Sequence, residues 1–174
     1  YGHLADLSRA LEEHKELRSS LGDYIIVPDI LIGRLPIPEE VINLKPILCE
    51  KIARLTPLRK INNNQMILHA SISCKWTIRS DRSQNARTEG LNLIRNRKGF
   101  TPHIAIVTAE PLPQRIASIA LGTGDIDCVY HVALKEMIKV IETLNNDALS
   151  DTLEILVSGK RLRDISDLPL DLAS

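Results

Sequence analysis

The sequence predicts an α/β protein, with a central sheet flanked by helices, from three consecutive segments of different patterning. Residues 66–79 alternate strictly between mostly apolar and mostly polar positions, which is typical of a strand with two distinct faces. A helix is predicted to follow over residues 83–98 and to end at Gly99. Residues 104–109 are continuously apolar, as expected for a strand covered on both faces. Strand, helix and strand in this order predict a right-handed crossover.

Further elements are predicted on both sides of this unit. Leucines recur near helical spacing over residues 4–21, which indicates an amphipathic helix. The apolar run over residues 24–32, interrupted by Pro28-Asp29, predicts a buried strand with an acid at its far end. Residues 33–64 predict a helix with irregular connections. The remaining patterns predict a helix opened by residues 111–113 and running to about residue 121, a strand over 127–133, a helix over 134–144, and a short strand over 153–157 followed by polar turns.

The composition argues against several classes of protein. No apolar run approaches the roughly 18 residues that a membrane span requires, and nothing resembles a signal peptide. The three cysteines are odd in number and widely spaced, which argues against a disulfide framework and a zinc site and favours a reducing cytosol. With one Trp, one Phe and three Tyr, a stacking platform for single-stranded nucleic acid is not expected.

Charge is balanced overall but unevenly distributed. The chain has 22 basic and 22 acidic residues, yet the stretch 79–98 holds six basic residues against only Asp81 and Glu89. A local basic patch on a neutral protein fits a surface that contacts phosphates. A solvated helix face is the more common explanation of such a run, and the sequence leaves both open.

Three charged residues could together form a site for phosphodiester hydrolysis. Asp29 is predicted at the end of a strand, Lys75 on the polar face of the 66–79 strand, and Glu89 on the sheet-facing stripe of the following helix. Singly, each has an ordinary explanation: a turn cap, a solvated lysine and a salt-bridged acid. Together, two carboxylates and a backbone carbonyl could hold Mg²⁺ through hard oxygens, and the ammonium could support developing negative charge.

A second candidate group, Arg79-Ser80-Asp81-Arg82, lies between the strand and the helix. Arginine pairs bidentately with guanine and aspartate accepts from cytosine N4, so this group at a helix N-terminus could enter the major groove. Alternatively, Asp81 caps the helix and the arginines are solvent charges. Taken alone, the cluster does not decide between base reading and a capped helix.

In order and spacing, these residues resemble the NgoMIV type of restriction endonuclease, a group of the PD-(D/E)xK nucleases. The resemblance covers about residues 22–134, and its motifs are Pro28-Asp29, Ser73-Cys-Lys-Trp-Thr-Ile-Arg-Ser-Asp-Arg82, Asn85, Arg87-Thr-Glu89, Arg115-Ile-Ala-Ser and residues 121–131. The group keeps the lysine but carries the usual second acid on the following helix. Here Ser73 stands two residues before Lys75, where that acid would usually be, and the acid appears at Glu89.

The resemblance implies a restriction-endonuclease-like fold, α/β with a central mixed β-sheet flanked by α-helices, and a catalytic role for each matching residue. Asp29 and Glu89 would bind Mg²⁺ with help from the Cys74 carbonyl. Lys75 would activate or orient the attacking water, and Ser73 is grouped with these catalytic residues.

The resemblance also implies which side chains read DNA. Arg79, Asp81 and Arg82 would read an inner CCGG, and Arg115 would read the outer G·C pair, which suggests GCCGGC as the site. The implied activity is that of a type II restriction endonuclease that hydrolyses double-stranded DNA with Mg²⁺ and leaves 5′ overhangs.

The implied setting is a bacterial cytoplasm, with double-stranded DNA and further copies of the chain, as a dimer or tetramer, as partners. A methyltransferase protecting the host DNA is expected, though not as a physical partner. Residues 1–174 are interpreted as one domain for catalysis and recognition, the C-terminal part of a longer chain whose upstream region adds another acid and an outer-base contact. The alternatives are a structure-selective repair nuclease of the same fold, a DNA-binding module without catalysis, or a structural or small-molecule-binding protein.

Overall fold

The computed structural model describes residues 28–45, 52–95, 99–122 and 124–173, and the helix predicted over 4–21 lies outside them. The described elements are, in chain order, β1 (Ile30–Arg34), α1 (Glu39–Ile42), β2 (Ile67–Lys75), α2 (Ser80–Arg95), β3 (His103–Thr108), α3 (Pro113–Ala120), β4 (Cys128–His131), α4 (Leu134–Leu144), α5 (Asp147–Ser158), β5 (Leu162–Asp164), a 3₁₀ turn (Ile165–Asp167) and α6 (Leu168–Asp171).

The five strands form one mixed sheet in the order β1-β2-β3-β4-β5. Strand β1 runs antiparallel to β2, and the other three neighbouring pairs are parallel. Because parallel neighbours need a crossover, α2 connects β2 to β3 and α3 connects β3 to β4. The predicted α/β class with a central mixed sheet flanked by helices is confirmed.

The main core lies between one face of the sheet and the helices α2 to α5. Its strand residues are Ile104 and Ile106 of β3, Val129 of β4 and Leu162 of β5. They pack against apolar side chains of the helices, among them Ala86, Leu93, Ile116, Ile119, Ile141 and Leu156. Burial of this apolar surface is the main contribution to the stability of the fold.

Ser71 and Ser73 of β2 pair in register with Ile104 and Ile106, so their side chains point toward the same helix layer. Both serines are buried, and so are their neighbours Ala70 and Ile72. The polar face read from the alternation is therefore covered by helix α2. A smaller cluster, Ile72, Ala105, Cys128 and Tyr130, covers the opposite face of the sheet.

The structure corrects the first predicted strand. Among the described residues β1 begins at Ile30, so Asp29 lies just before the strand and not at its far end. The strand is also largely exposed, since of the described strands it pairs only with β2. An edge position explains why an apolar run, read as buried from its composition, reaches solvent.

The region 33–64 contains one short helix, α1, within the residues that the structure describes, and this agrees with the predicted mixture of a helix and irregular connections. Arg59 is almost completely buried and clamps Glu39 through its Nε (2.7 Å to Oε1) and Nη2 (2.5 Å to Oε2). The hydrogen bonds from Arg59 lower the pKa of the Glu39 carboxyl. This pair joins the irregular segment to the start of α1.

The short strand predicted over 153–157 is wrong, because these residues belong to helix α5. The Asn146 side chain accepts a hydrogen bond from Leu149 N (3.2 Å) and caps the helix. Leu149, Leu153 and Leu156 recur at spacings of four and three, and they pack into the main core. The last strand is instead β5, which begins after Gly159 in the tail predicted to hold turns. No described helix is long and apolar enough to cross a membrane.

The central segments are confirmed with shifted boundaries. Strand β2 ends at Lys75 and not at Arg79, and α2 begins at Ser80, three residues before the predicted start. The end predicted for this helix, residues 96–98, lies outside the described residues, and Gly99 beyond it has a φ of 110°. That left-handed backbone agrees with the predicted stop at this glycine.

We expect Gly90→Ala to destabilise the fold although it places a better helix former within α2. A Cβ at Gly90 would lie 2.6 Å from Asp125 O, so either the helix or the loop before β4 must shift. Such overpacking costs about 1–3 kcal/mol. Helix propensity alone would stabilise the variant by up to about 1 kcal/mol. The sign of the change in the free energy of unfolding therefore shows whether the close contact or the helix propensity is the larger effect. Urea unfolding with unchanged m-value measures it, and a stabilised variant would contradict the close packing.

Candidate active site and nucleic-acid interface

Asp29 and Lys75 lie together where β1 meets the end of β2. Ile30 pairs with Ile72, which places Asp29 beside the last residues of β2. Asp29 Oδ2 accepts a hydrogen bond from Cys74 N (2.6 Å), and Lys75 Nζ lies 3.4 Å from the same oxygen. The Lys75 side chain is 20% exposed and that of Asp29 is 45% exposed. The aspartate is thus fixed by the β2 backbone while remaining accessible to a ligand.

Glu89 reaches the same strand from helix α2. Its Oε2 accepts a hydrogen bond from Ser73 Oγ at 2.8 Å. Ser73 and Lys75 are two residues apart on β2 and share the face that α2 covers. Among the described side chains, Glu89 takes part in none of the ion pairs, and its side-chain partner is the Ser73 hydroxyl. A hydroxyl donor orients the carboxylate without adding a positive charge beside it.

Cys74 contributes its backbone to this group. Its N–H binds Asp29, and the pKa of its thiol is raised, first by loss of solvent and then by the nearby Asp29 carboxylate. Ser73 and Lys75 face helix α2, so by the alternation of the strand the Cys74 side chain lies on the opposite face of β2. The role of its carbonyl as a ligand stays a prediction.

The donor set is chemically suited to a hard divalent cation. Asp29 supplies carboxylate oxygens from the segment before β1 and Glu89 from α2, and Mg²⁺ is commonly held by one or two carboxylates with several waters retained. Within the described ranges, no three His, Cys, Asp or Glu side chains come close enough to form a metal-binding group. The described residues therefore form no all-protein cage, and a cation held by Asp29 and Glu89 would keep water or phosphate oxygens as further ligands.

The predicted DNA-reading residues lie at the N-terminal ends of α2 and α3. Arg79 is exposed and lies in the connection between β2 and α2, so the strand predicted over residues 66–79 does not extend to it and Arg79 does not share a strand face with Lys75. Asp81 and Arg82 follow in the first turn of α2, whose backbone the structure describes. Arg115 lies in the first turn of α3 with its side chain 51% exposed. All four residues therefore belong to helix starts or to the loop before one.

Arg87, counted in the predicted basic patch, has a structural contact. Its Nη2 donates to Ser118 O near the end of α3 at 2.6 Å, and Gly122 packs against the guanidinium so closely that a Cβ there would lie 2.6 Å from Nη2. Arg87 thus joins α2 to the C-terminal end of α3. Within the described part of the patch, Arg79 and Arg95 are exposed.

The sequence reasoning missed Glu110, which lies two residues after β3. Its side chain is completely buried, and its two oxygens accept hydrogen bonds from Ile78 N (2.8 Å) and Leu112 N (3.2 Å). Arg115 Nη1 lies 3.6 Å from its Oε2. Its one signal in the sequence is its position directly after the predicted strand over residues 104–109, which does not by itself indicate burial.

Comparison with known proteins places the chain beside restriction enzymes. A sequence model of the family described as NgoMIV restriction enzyme matches residues 1–174. The curated type II restriction enzyme NgoMIV of Neisseria gonorrhoeae is 59% identical over 175 residues, which cover 99% of this chain and 61% of that protein. The chain therefore spans less than two thirds of that relative. A solved complex of the restriction endonuclease PspGI with substrate DNA is similar with a TM-score of 0.39 and 20% identity, over 60% of this chain and 39% of that one.

Proposed function

Because this chain belongs to the NgoMIV restriction enzyme family, we propose that it supplies the catalytic and base-reading residues of a Mg²⁺-dependent type II restriction endonuclease. The proposed reaction hydrolyses double-stranded DNA at a CCGG-containing palindrome, GCCGGC, and leaves 5′ overhangs in a bacterial cytoplasm. One observation carries the proposal: Asp29 contacts Cys74 and Lys75 while Glu89 contacts Ser73, so two carboxylates from different parts of the chain contact the last three residues of β2.

We propose that Asp29, Glu89 and the Cys74 carbonyl hold Mg²⁺ at the end of β2. When bound, the cation would polarise the scissile phosphate and lower the pKa of a coordinated water. Ser73 keeps the Glu89 carboxylate pointed toward the strand through its 2.8 Å hydrogen bond. The Cys74 N–H of the strand backbone donates to Asp29 Oδ2 and orients that carboxylate. Both acids are therefore preorganised before any ligand arrives, which reduces the cost of assembling the site.

Lys75 is proposed to orient the attacking water and to stabilise the charge that develops on the phosphate. Its ammonium lies within ion-pair distance of Asp29, and its side chain is mostly buried. Partial burial strengthens electrostatic stabilisation because less water screens the ammonium. The ion pair with the Asp29 carboxylate restricts the conformations of the Lys75 side chain.

Base reading is proposed for Arg79, Asp81 and Arg82 at the inner CCGG and for Arg115 at the outer G·C pair. Exposed Arg79 and half-exposed Arg115 are available to a ligand. A palindrome is matched by two copies of a chain related by a twofold axis, which supports the proposed dimer or tetramer. The proposed partners are thus double-stranded DNA and further copies of this chain. Protection of host DNA by a methyltransferase belongs to the same proposal.

Digestion of a plasmid of known sequence in the presence of Mg²⁺, followed by sequencing of the ends, tests this function. We expect discrete fragments whose ends all map to GCCGGC with 5′ overhangs, and no cutting in EDTA. Ends distributed without a common sequence would favour the structure-selective nuclease. Retention of plasmid on the protein without cutting would favour the inactive binding module.

Arg82→Ala is expected to relax specificity at one base pair. Loss of a bidentate arginine–guanine contact costs about 1–3 kcal/mol of discrimination. Relative cleavage rates on duplexes that differ only at single positions of CCGG measure the loss, with Arg161→Ala, an exposed arginine far along the chain before β5, as the matched control. If the Arg82 variant discriminates as the unmodified protein does, Arg82 does not read the site.

A further inference from the structure

Glu110 joins two separate parts of the proposed base-reading surface. Its Oε2 accepts from Ile78 N at 2.8 Å and lies 3.6 Å from Arg115 Nη1, while Oε1 accepts from Leu112 N at 3.2 Å. The side chain is fully buried. A buried carboxylate is costly unless donors compensate it, and here the donors come from two connections far apart in sequence.

The donors belong to the beginnings of the two helices that carry the reading residues. Ile78 directly precedes Arg79 and lies two residues before the start of α2. Leu112 directly precedes α3, and Arg115 is in its first turn. One carboxylate therefore contacts the backbone beside the inner readers, the backbone just before α3 and the side chain of the outer reader.

Glu110 is itself held by the ends of two strands. Its N–H donates to Thr108 Oγ1 (3.1 Å), and its carbonyl oxygen lies 3.2 Å from His131 Nε2 at the end of β4. Ala133 N donates to His131 Nδ1 (3.0 Å), so Nδ1 is the acceptor and Nε2 carries the hydrogen that binds Glu110. The carboxylate therefore projects from a point fixed to the central sheet.

We propose that Glu110 is a positioning residue for DNA recognition, which sets the distance between the inner readers at residues 79–82 and the outer reader Arg115. The inference rests on the proposed function. Hydrogen-bond reading of base edges tolerates displacements of about 0.5 Å. A shared anchor keeps both readers in register with a single DNA duplex, so that inner and outer pairs are read together.

The test compares Glu110→Gln with the unmodified full chain in Ca²⁺, which permits binding without cleavage. A glutamine amide would direct N–H groups at one of the three donors. We expect discrimination between a GCCGGC duplex and duplexes altered at one inner or one outer pair to fall about tenfold at both. Single-turnover cleavage of bound GCCGGC in Mg²⁺ should change much less. Glu110→Asp keeps the charge but has a shorter side chain. Its discrimination between the duplexes should lie between that of the unmodified chain and that of Glu110→Gln.

A double-mutant cycle separates positioning from general loss of stability. In an Arg115→Ala background, Glu110→Gln should reduce inner-pair discrimination again but leave outer-pair discrimination unchanged. Tyr130→Phe is the control, since it removes a 2.7 Å hydrogen bond to Asp171 on the other face of the sheet and should leave discrimination at both pairs intact.

Three results would overturn the inference. If the Glu110 variants discriminate as the unmodified chain does, the anchor does not position the readers, while the proposed function stands. If Tyr130→Phe loses as much discrimination as Glu110→Gln, the effect is general destabilisation. If the unmodified chain binds all duplexes equally, the proposed function fails, and the role of Glu110 in recognition fails with it.

Discussion

Replacing Lys75 by alanine is expected to reduce the rate of DNA cleavage by about a thousandfold or more while DNA binding in Ca²⁺ is largely retained. The ammonium lies 3.4 Å from Asp29 Oδ2 and its side chain is 20% exposed, so the alanine variant removes a largely shielded positive charge from the end of β2. Loss of a group that orients water or stabilises transition-state charge costs about 10²–10⁴-fold. Single-turnover cleavage of a GCCGGC duplex at saturating Mg²⁺ measures the loss.

The matched control for this prediction is Lys139→Ala, which removes an exposed lysine from helix α4. It should leave both cleavage and binding unchanged, so that the effect of net charge on DNA affinity is accounted for. Retained Mg²⁺-dependent cleavage in Lys75→Ala would remove Lys75 from the catalytic group. Loss of binding together with cleavage would instead make Lys75 a phosphate contact.

The parts of the candidate site that were predictable from the sequence are those set by local periodicity. Alternation along β2 places Ser73 and Lys75 on one face whatever the sheet surrounding them. Helical spacing along α2 places Glu89 on the stripe with Ala86 and Leu93, both of which are buried. Strand alternation and helical spacing were therefore enough to predict that Glu89 of α2 faces β2. The roles of these residues in catalysis are still predictions.

The errors arose where tertiary contacts decide the structure. Ile155 and Val157 have the β-branched side chains of a strand, but the capping of α5 by Asn146 and the packing of its leucines made the segment helical. The predicted position of the first strand relative to Asp29 was wrong because the start of β1 is set by its pairing with β2. A single apolar run does not contain that information.

Glu110 was not predictable for a different reason. Its sequence neighbourhood, an acid between an apolar strand and a proline, is equally compatible with a solvated loop. Its burial results from the convergence of two loops separated by more than thirty residues, Ile78 being 32 residues away. The same holds for Arg87, whose partner is Ser118 O, 31 residues further along the chain. Local charge patterns do not distinguish a surface arginine from one that joins two helices.

Glu89→Gln is expected to have an effect on cleavage comparable to that of the lysine variant, by removing one of the two proposed Mg²⁺ carboxylates. The glutamine keeps the size of the side chain and an oxygen that can accept from Ser73, so helix packing should be preserved. We expect at least about a hundredfold loss of cleavage. The Mg²⁺ concentration needed for half-maximal residual rate should rise, while DNA binding in Ca²⁺ should be largely retained. A Mg²⁺ titration of single-turnover cleavage measures both quantities.

Ser73→Ala separates the charge of Glu89 from its orientation. This variant keeps the carboxylate but removes the hydroxyl that donates to it at 2.8 Å. One lost hydrogen bond is worth about 0.5–1.5 kcal/mol, so cleavage should fall only about two- to tenfold.

Glu136→Gln, at an exposed position of α4, controls for the change in net charge that Glu89→Gln makes. If Glu89→Gln cleaves at the unmodified rate with an unchanged Mg²⁺ requirement, Glu89 is a structural acid that closes the helix onto β2, and the cation must be held by other oxygens.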